Sequence, residues 1–236
     1  MKIYPSLIEA DFFSMPSIIK EIDPYVDGYH IDVMDYHFVP NLSWGPSLVQ
    51  AMAAFVEKPL WLHFMVSKPE KLVPLCINKK NDYIISIHEE TISDWKYFIG
   101  LKKQYNFSIG IALKPETALI ELKPYIKQID HILIMTVNPG FSGQLFLEDS
   151  WQRIDDAYAF CLEHNKNCVI AVDGGIKEQH ISFLKQKKVE MVSAASAIFE
   201  NNKTAYDCSQ FLRNKSSALQ EYMQRCVENI QRLKKE

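Results

Sequence analysis

The sequence predicts a closed (β/α)8 TIM barrel of the α/β class, folded as a single domain. Three observations carry this expectation. Eight apolar runs of strand length are spread along 236 residues. Amphipathic stretches of helix length lie between them, so the chain reads as consecutive βαβ units with a parallel sheet. No GxGxxG motif follows the first run, which removes the usual mark of an open dinucleotide-binding sheet. Eight such units in this length fill one barrel. Residues 1–236 are therefore read as one domain, with 217–236 as a C-terminal helical extension.

In chain order, the strands are expected at Ile3–Leu7, Gly28–Met34, Leu60–Met65, Tyr83–Ile87, Ser108–Leu113, His131–Val137, Cys168–Val172 and Glu190–Ala194. Parallel strands covered on both faces read as nearly continuous apolar runs, as these do. Helices are expected at Pro46–Phe55, Pro69–Asn78, Ser93–Gln104, Ser150–His164 and Lys177–Lys187. Ser67 is expected to cap the helix that Pro69 and Glu70 open, and Asp149 or Ser150 the one entered at Trp151. The longest gap between strands holds Val137–Gln144, a turn-rich segment with the character of a lid. In the tail, Leu219, Met223, Val227, Ile230 and Leu233 recur at three- and four-residue steps. That stripe is expected to pack on the barrel or, with slight preference, to form a dimer contact.

Composition narrows the function classes. A 47% hydrophobic and 12% aromatic content supplies a sizeable core, and a formal net charge of −3 leaves no basic stripe for nucleic acid. The one dense basic patch, Arg232, Lys234 and Lys235, reads as a solvated helix end. Five widely spaced cysteines without a CxxC pair argue for a reducing compartment. Glu9 and Asp11 interrupt the N-terminus before any signal-peptide core forms, and no apolar run reaches the ~18 residues of a membrane span. A cytoplasmic protein with neither nucleic-acid nor membrane partners is expected.

The chemistry-bearing residues sit on those strands. Alternate side chains of a strand share a face, so His30, Asp32 and Met34 point one way, as do His63 and Met65. Asp173 ends the seventh run. Two imidazoles and two carboxylates from three strand ends make a divalent-metal cage whose carboxylates can also move protons. Reactive groups of such barrels gather at the carboxyl ends of the strands, which sets Asp32 and Asp173 across the mouth. Gly174-Gly175 and the small-residue segment Ser193–Ala197 follow strands seven and eight, the usual place for a barrel phosphate site. Met34, Met65 and Met135 would give the mouth an apolar lining.

Several motifs occur together and in order: Pro5-Ser6-Leu7, His30-Ile31-Asp32-Val33-Met34-Asp35, Phe38-Val39-Pro40-Asn41, His63-Phe64-Met65-Val66, Gly110 to Pro115, Met135 to Gln144, Val172-Asp173-Gly174-Gly175-Ile176 and Ser196-Ala197-Ile198-Phe199. In these the chain resembles the ribulose-phosphate 3-epimerase family from Met1 to Phe199. The resemblance implies that His30, Asp32, His63 and Asp173 hold one divalent ion (zinc, iron, manganese or cobalt). It makes Asp32 and Asp173 the acid–base pair and Ser6 a residue near the substrate. It sets Gly140, Gly143, Gly174, Gly175, Ala195 and Ser196 in the segments that border or hold the phosphate. The implied substrate is a phosphorylated ketose, and the protein is expected to be a homo-oligomer.

Within the resemblance, interconversion of D-ribulose 5-phosphate and D-xylulose 5-phosphate leads, with a hexulose 6-phosphate such as allulose 6-phosphate as the enzymic alternative. A non-catalytic sugar-phosphate binding protein is the alternative of another class. An orotidine-type decarboxylase would need Asp-x-Lys-x-x-Asp where this chain has His63-Phe64-Met65. Three departures stand out. Ala195 replaces a glycine, His88-Glu89-Glu90 replaces His-Pro-Glu and adds an acid near the mouth, and Tyr36 replaces a small residue with an expected effect on the pocket.

Overall fold

The computed structural model describes residues 1–199 and 215–235. All eight expected strands form: β1 (Lys2–Pro5), β2 (Tyr29–Met34), β3 (Leu60–Met65), β4 (Tyr83–His88), β5 (Ser108–Leu113), β6 (His131–Met135), β7 (Val169–Asp173) and β8 (Val189–Ala194). They pair in parallel in the order β1-β8-β7-β6-β5-β4-β3-β2. A single parallel bridge between Ser6 and His30 brings the two ends of that sheet together.

The helices are α1 (Met15–Ile22), α2 (Pro46–Phe55), α3 (Pro69–Cys76), α4 (Trp95–Tyr105), α5 (Ser150–His164), α6 (Glu178–Gln186) and α7 (Lys215–Lys235). Prolines at the first turns of α1, α2 and α3 start helices where the missing N–H costs nothing. Asp94 caps α4 by accepting from the Tyr97 amide, and Asn106 ends it in the left-handed conformation. Between β5 and β6 the link contains only a short 3-10 turn, Leu119–Leu122.

Two local expectations fail. Ser67 does not cap α3, since its amide and hydroxyl both donate to Asp35 Oδ2 at 2.8 Å. Asp149 occupies the cap position of α5 without a side-chain bond, while Ser150 lies within the helix.

One apolar core lies between the barrel and its helices, and a second, with Tyr4, Trp61, Leu133 and Met191, fills the barrel interior. That interior also carries a polar line: Trp61 Nε1 donates to Ser86 Oγ at 2.8 Å, and Ser86 Oγ lies 2.7 Å from His131 Nε2. Gly110 makes room for this histidine, because a Cβ there would stand 2.3 Å from the imidazole. Burial holds His131 down to about 4, so it fills the barrel as a neutral ring.

The apolar stripe of α7 is covered by its own barrel. Tyr222, Cys226, Val227, Ile230 and Leu233 are buried in the main core, Leu219 and Met223 pack against it, and α1 is a neighbour. Burying side chains such as Ile230 and Leu233 contributes roughly 1.5–3 kcal/mol each. The preference for a dimer contact through this stripe is thereby corrected, since periodicity alone does not say what a stripe faces. Lys234 pairs with Asp27 at 3.0 Å in the basic helix end. Cys76, Cys161, Cys168 and Cys226 are buried, and Cys208 lies outside the described residues. Among the described residues no helix is long and apolar enough to cross a membrane.

Candidate active site and metal centre

The register of the sheet builds the site. Asp32 on β2 is paired with His63 on β3, and in a parallel pair matched residues share a face. His30 stands two residues earlier on the same face of β2, and Asp173 closes β7. The nitrogens and oxygens converge at the carboxyl end of the barrel. His30 Nε2 is 3.1 Å from Asp32 Oδ1 and 3.5 Å from Asp173 Oδ2, and His63 Nδ1 is 3.2 and 3.3 Å from the same two oxygens. One donor atom from each of the four buried residues lies within 4.8 Å of all the others.

This set fits a divalent transition ion on two counts. Ligand atoms held about 2.0–2.2 Å from one ion stand roughly 3.0–3.6 Å from their neighbours, the spacing found between these nitrogens and oxygens. The second count is charge. Burial alone would neutralise all four groups, yet the two carboxylates push His30 up to about 10 and raise His63 as well. In return the imidazoles outweigh burial to hold Asp32 at about 2 and Asp173 well below the usual carboxylate range. Two buried carboxylates thus draw two protons onto two imidazoles, and one dication compensates the same charge with both rings neutral.

Above these four residues opens a cavity of about 50 Å3 that continues into solvent. Asp32 and Asp173 form part of its wall, whereas His30 and His63 are fully buried and do not line it. Met34, Met65 and Met135 face it, as do Ser6, Gly140, Gly143, Gly174, Gly175, Ala195 and Ser196. Ser6 Oγ donates to Asp32 Oδ2 at 2.7 Å, leaving Oδ1 to the imidazoles. The Val137–Gln144 segment forms one wall and is tied down where Asn41 Nδ2 donates to the Gly140 carbonyl at 2.7 Å.

At the other end of the cavity two turns meet. Gly174 and Gly175 have φ of +110° and +66°, and a Cβ on either would strike Val137 or the Phe146 backbone at 2.2 and 2.5 Å. The chain after β8 makes one helical turn, with the amides of Ile198 and Phe199 donating to the Ala195 carbonyl. Among the described residues no protein acceptor takes the amides of Gly175 or Ser196. Among the same residues, no lysine or arginine lines the cavity.

The departures resolve differently from expectation. Ala195 is absent from the residues with positive φ, so alanine carries no left-handed backbone strain there. Tyr36 is 68% exposed and does not line the cavity; what is unusual there is its φ of +62°, a conformation that favours a residue without Cβ. Its amide donates to the Asn41 carbonyl across the loop that follows β2. Glu89 also stays out of the cavity wall, and Glu90 is the acid that engages the site through His88.

Sequence reasoning named His88, Glu90 and Ser193 within motifs but gave none of them an individual role in the site. His88 Nε2 is 3.0 Å from His63 Nε2, and His88 Nδ1 is 3.1 Å from Glu90 Oε2. Burial, against the pull of Glu90, holds His88 down to about 4. The polar residue ending β4 was the available signal. Ser193 lines the cavity with a buried Oγ that has no protein partner among the described residues, and it is matched in register with Asp173. A hydroxyl on the buried stretch Met191–Ala194 of β8 marks that position.

Residues 2–199 match the ribulose-phosphate 3 epimerase family. The chain is 35% identical over 201 residues to a ribulose-phosphate 3-epimerase of Helicobacter pylori, covering 85% of this chain and 92% of the relative. It is 32% identical over 201 residues to that of Bacillus subtilis, covering 84% and 92%. Among solved structures, 3-keto-L-gulonate-6-phosphate decarboxylase from Vibrio cholerae matches with a TM-score of 0.62 at 14% identity over 98% of each chain. A likeness at that identity speaks for the barrel alone.

Proposed function

The chain belongs to the ribulose-phosphate 3 epimerase family and is an isomerase of the sugar-phosphate 3-epimerase kind, and from that premise we propose that it interconverts D-ribulose 5-phosphate and D-xylulose 5-phosphate. The observation that carries the reading is the pair Asp32 and Asp173. Each exposes part of its carboxylate to one cavity, and their strands stand three steps apart around an eight-stranded barrel, close to opposite. Inversion at C3 needs a base on one face of the substrate and an acid on the other. One aspartate takes the C3 proton and the second returns a proton from the opposite side, through a 2,3-enediolate.

His30, Asp32, His63 and Asp173 would hold the divalent ion, with zinc, iron, manganese and cobalt all suited to a set of two nitrogens and two oxygens. Such an ion supplies positive charge beside the oxygens that become negative as the C3 proton leaves. Asp32 is turned toward its task by Ser6, which fixes Oδ2 at the cavity side. Met34, Met65 and Met135 keep water from the reacting carbons without hydrogen-bonding to them. The phosphate is read by main-chain amides of the Gly174-Gly175 and Ala195-Ser196 turns, which suits a cavity wall without cationic side chains. A hexulose 6-phosphate loses one of its supports, since Tyr36 lies outside the cavity wall.

The test is solvent-deuterium exchange at C3 with metal-reconstituted protein and, separately, ribulose 5-phosphate, xylulose 5-phosphate and allulose 6-phosphate. Fast exchange with inversion of both pentuloses is expected. Turnover of allulose 6-phosphate alone would reassign the substrate, and exchange with none of the three would leave a sugar-phosphate binding protein.

A further inference from the structure

The two imidazoles of the metal site are held in different ways. His30 Nδ1, the nitrogen turned away from the carboxylates, is buried with no hydrogen-bond partner among the described residues. The corresponding nitrogen of His63, Nε2, meets His88 Nε2 at 3.0 Å. The two rings have centroids 5.1 Å apart and planes 28° from parallel, so the nitrogens meet nearly end to end. Only one proton fits between them. Beyond His88 stands Glu90, with Oε2 at 3.1 Å from His88 Nδ1. Its other oxygen, Oε1, accepts from the Lys114 amide at 3.1 Å and from the Thr117 hydroxyl.

Resting on the metal-site reading above, we propose that Glu90 and His88 are positioning residues that fix the proton of His63 on Nε2, so that Nδ1 presents its lone pair to the ion. The direction of the chain follows from Glu90. A carboxylate only accepts, so His88 carries its proton on Nδ1 and donates it to Glu90. His88 Nε2 is then an acceptor, and the shared proton belongs to His63 Nε2. The opposite arrangement would turn the lone pair of His88 Nδ1 onto an anion. Partners of this kind fix the tautomer of a ligating histidine and raise its basicity. His30 lacks such a partner among the described residues and serves as an internal reference.

Glu90→Gln is the informative variant. The Lys114 amide and Thr117 hydroxyl both demand an acceptor, so the glutamine carbonyl turns to them and its NH2 faces His88. His88 must then move its proton to Nε2, where it opposes His63. His88→Phe removes the acceptor altogether.

The experiment is nitrogen-15 histidine NMR of the full-length protein with and without zinc, together with zinc affinity by chelator competition. The wild type is expected to show His88 protonated on Nδ1 and His63 on Nε2. Both variants are expected to lose zinc affinity by roughly 10–100-fold, and Glu90→Gln to transfer the His88 proton to Nε2. A wild-type His88 protonated on Nε2 overturns the proposal without reference to any variant, as does unchanged zinc affinity in both folded variants. No substrate enters these measurements. A protein that behaves as expected here yet epimerises no ketose phosphate would refute the proposed reaction and leave the histidine chain standing.

Discussion

Ser6 and Asp32 meet at the seam where the barrel closes, with Ser6 Oγ donating to Asp32 Oδ2 at 2.7 Å beside the bridge that joins Ser6 to His30. The same contact therefore finishes the fold and aims a carboxylate. Hydrogen bonds to charged groups contribute about 1.5–3 kcal/mol. Ser6→Ala should lower kcat roughly 10-fold or more with metal content retained, because the hydroxyl orients Oδ2 without supplying a ligand. Steady-state kinetics beside elemental analysis checks this, and an unchanged kcat would make the hydroxyl a space-filler.

Asp32→Asn and Asp173→Asn should each abolish epimerisation, and one of them should still exchange the C3 proton of a single epimer with solvent. Both residues belong to the proposed ion-binding set, so only variants that retain metal by elemental analysis are informative. Full turnover by either metal-loaded variant would end the two-base scheme.

Gly174 and Gly143 both have positive φ, but only Gly174 is crowded: a Cβ there would stand 2.2 Å from Val137, whereas at Gly143 it would meet nothing within 4 Å. Gly143→Ala should cost about 1–2 kcal/mol for the left-handed backbone alone. Gly174→Ala should cost more, by roughly a further 1–3 kcal/mol of overpacking. Chemical denaturation compares the two, and equal losses would mean that Val137 simply moves aside.

Asp35 joins the loops after β2 and β3. Its Oδ1 accepts from the amides of His37 and Phe38, and its Oδ2 from the amide and hydroxyl of Ser67. Burial pushes its pKa up, but these donors together outweigh burial and hold it down to about 2. A carboxyl depressed in the folded state stabilises above its unfolded value of about 3.9, and that contribution is lost as pH falls from there toward 2. Asp35→Asn should therefore lower Tm at neutral pH, with the gap to wild type closing below about pH 3. A gap independent of pH would assign the effect to shape alone.

The strands were legible because each carries an apolar run that local periodicity detects, and Asp32 and His63 were legible because they interrupt such runs with groups that water would otherwise claim. What periodicity does not encode is pairing across the barrel. Nothing in the local pattern says that Ser6 reaches Asp32, that Ser67 serves Asp35 instead of capping α3, or that Glu90 engages the site where Glu89 does not. Tyr36 misled for a similar reason: a bulky residue in a motif suggests a changed pocket, whereas its distinction is a backbone angle. The α7 stripe announced a buried face but not the barrel that buries it.

The late position of Asp173 in the chain has a consequence for biosynthesis. A polypeptide emerging from the ribosome presents His30, Asp32 and His63 long before β7 and β8 exist, and β1 finds its neighbour β8 only after the six strands between them in sequence have been made. Until then three of the donors stand on an unclosed sheet, with a single carboxylate among them. Pairings between distant parts of a chain are the slow ones to form. The proposed four-residue cage is thus a property of the finished barrel, and an ion that needs all four donors would load after closure instead of guiding it.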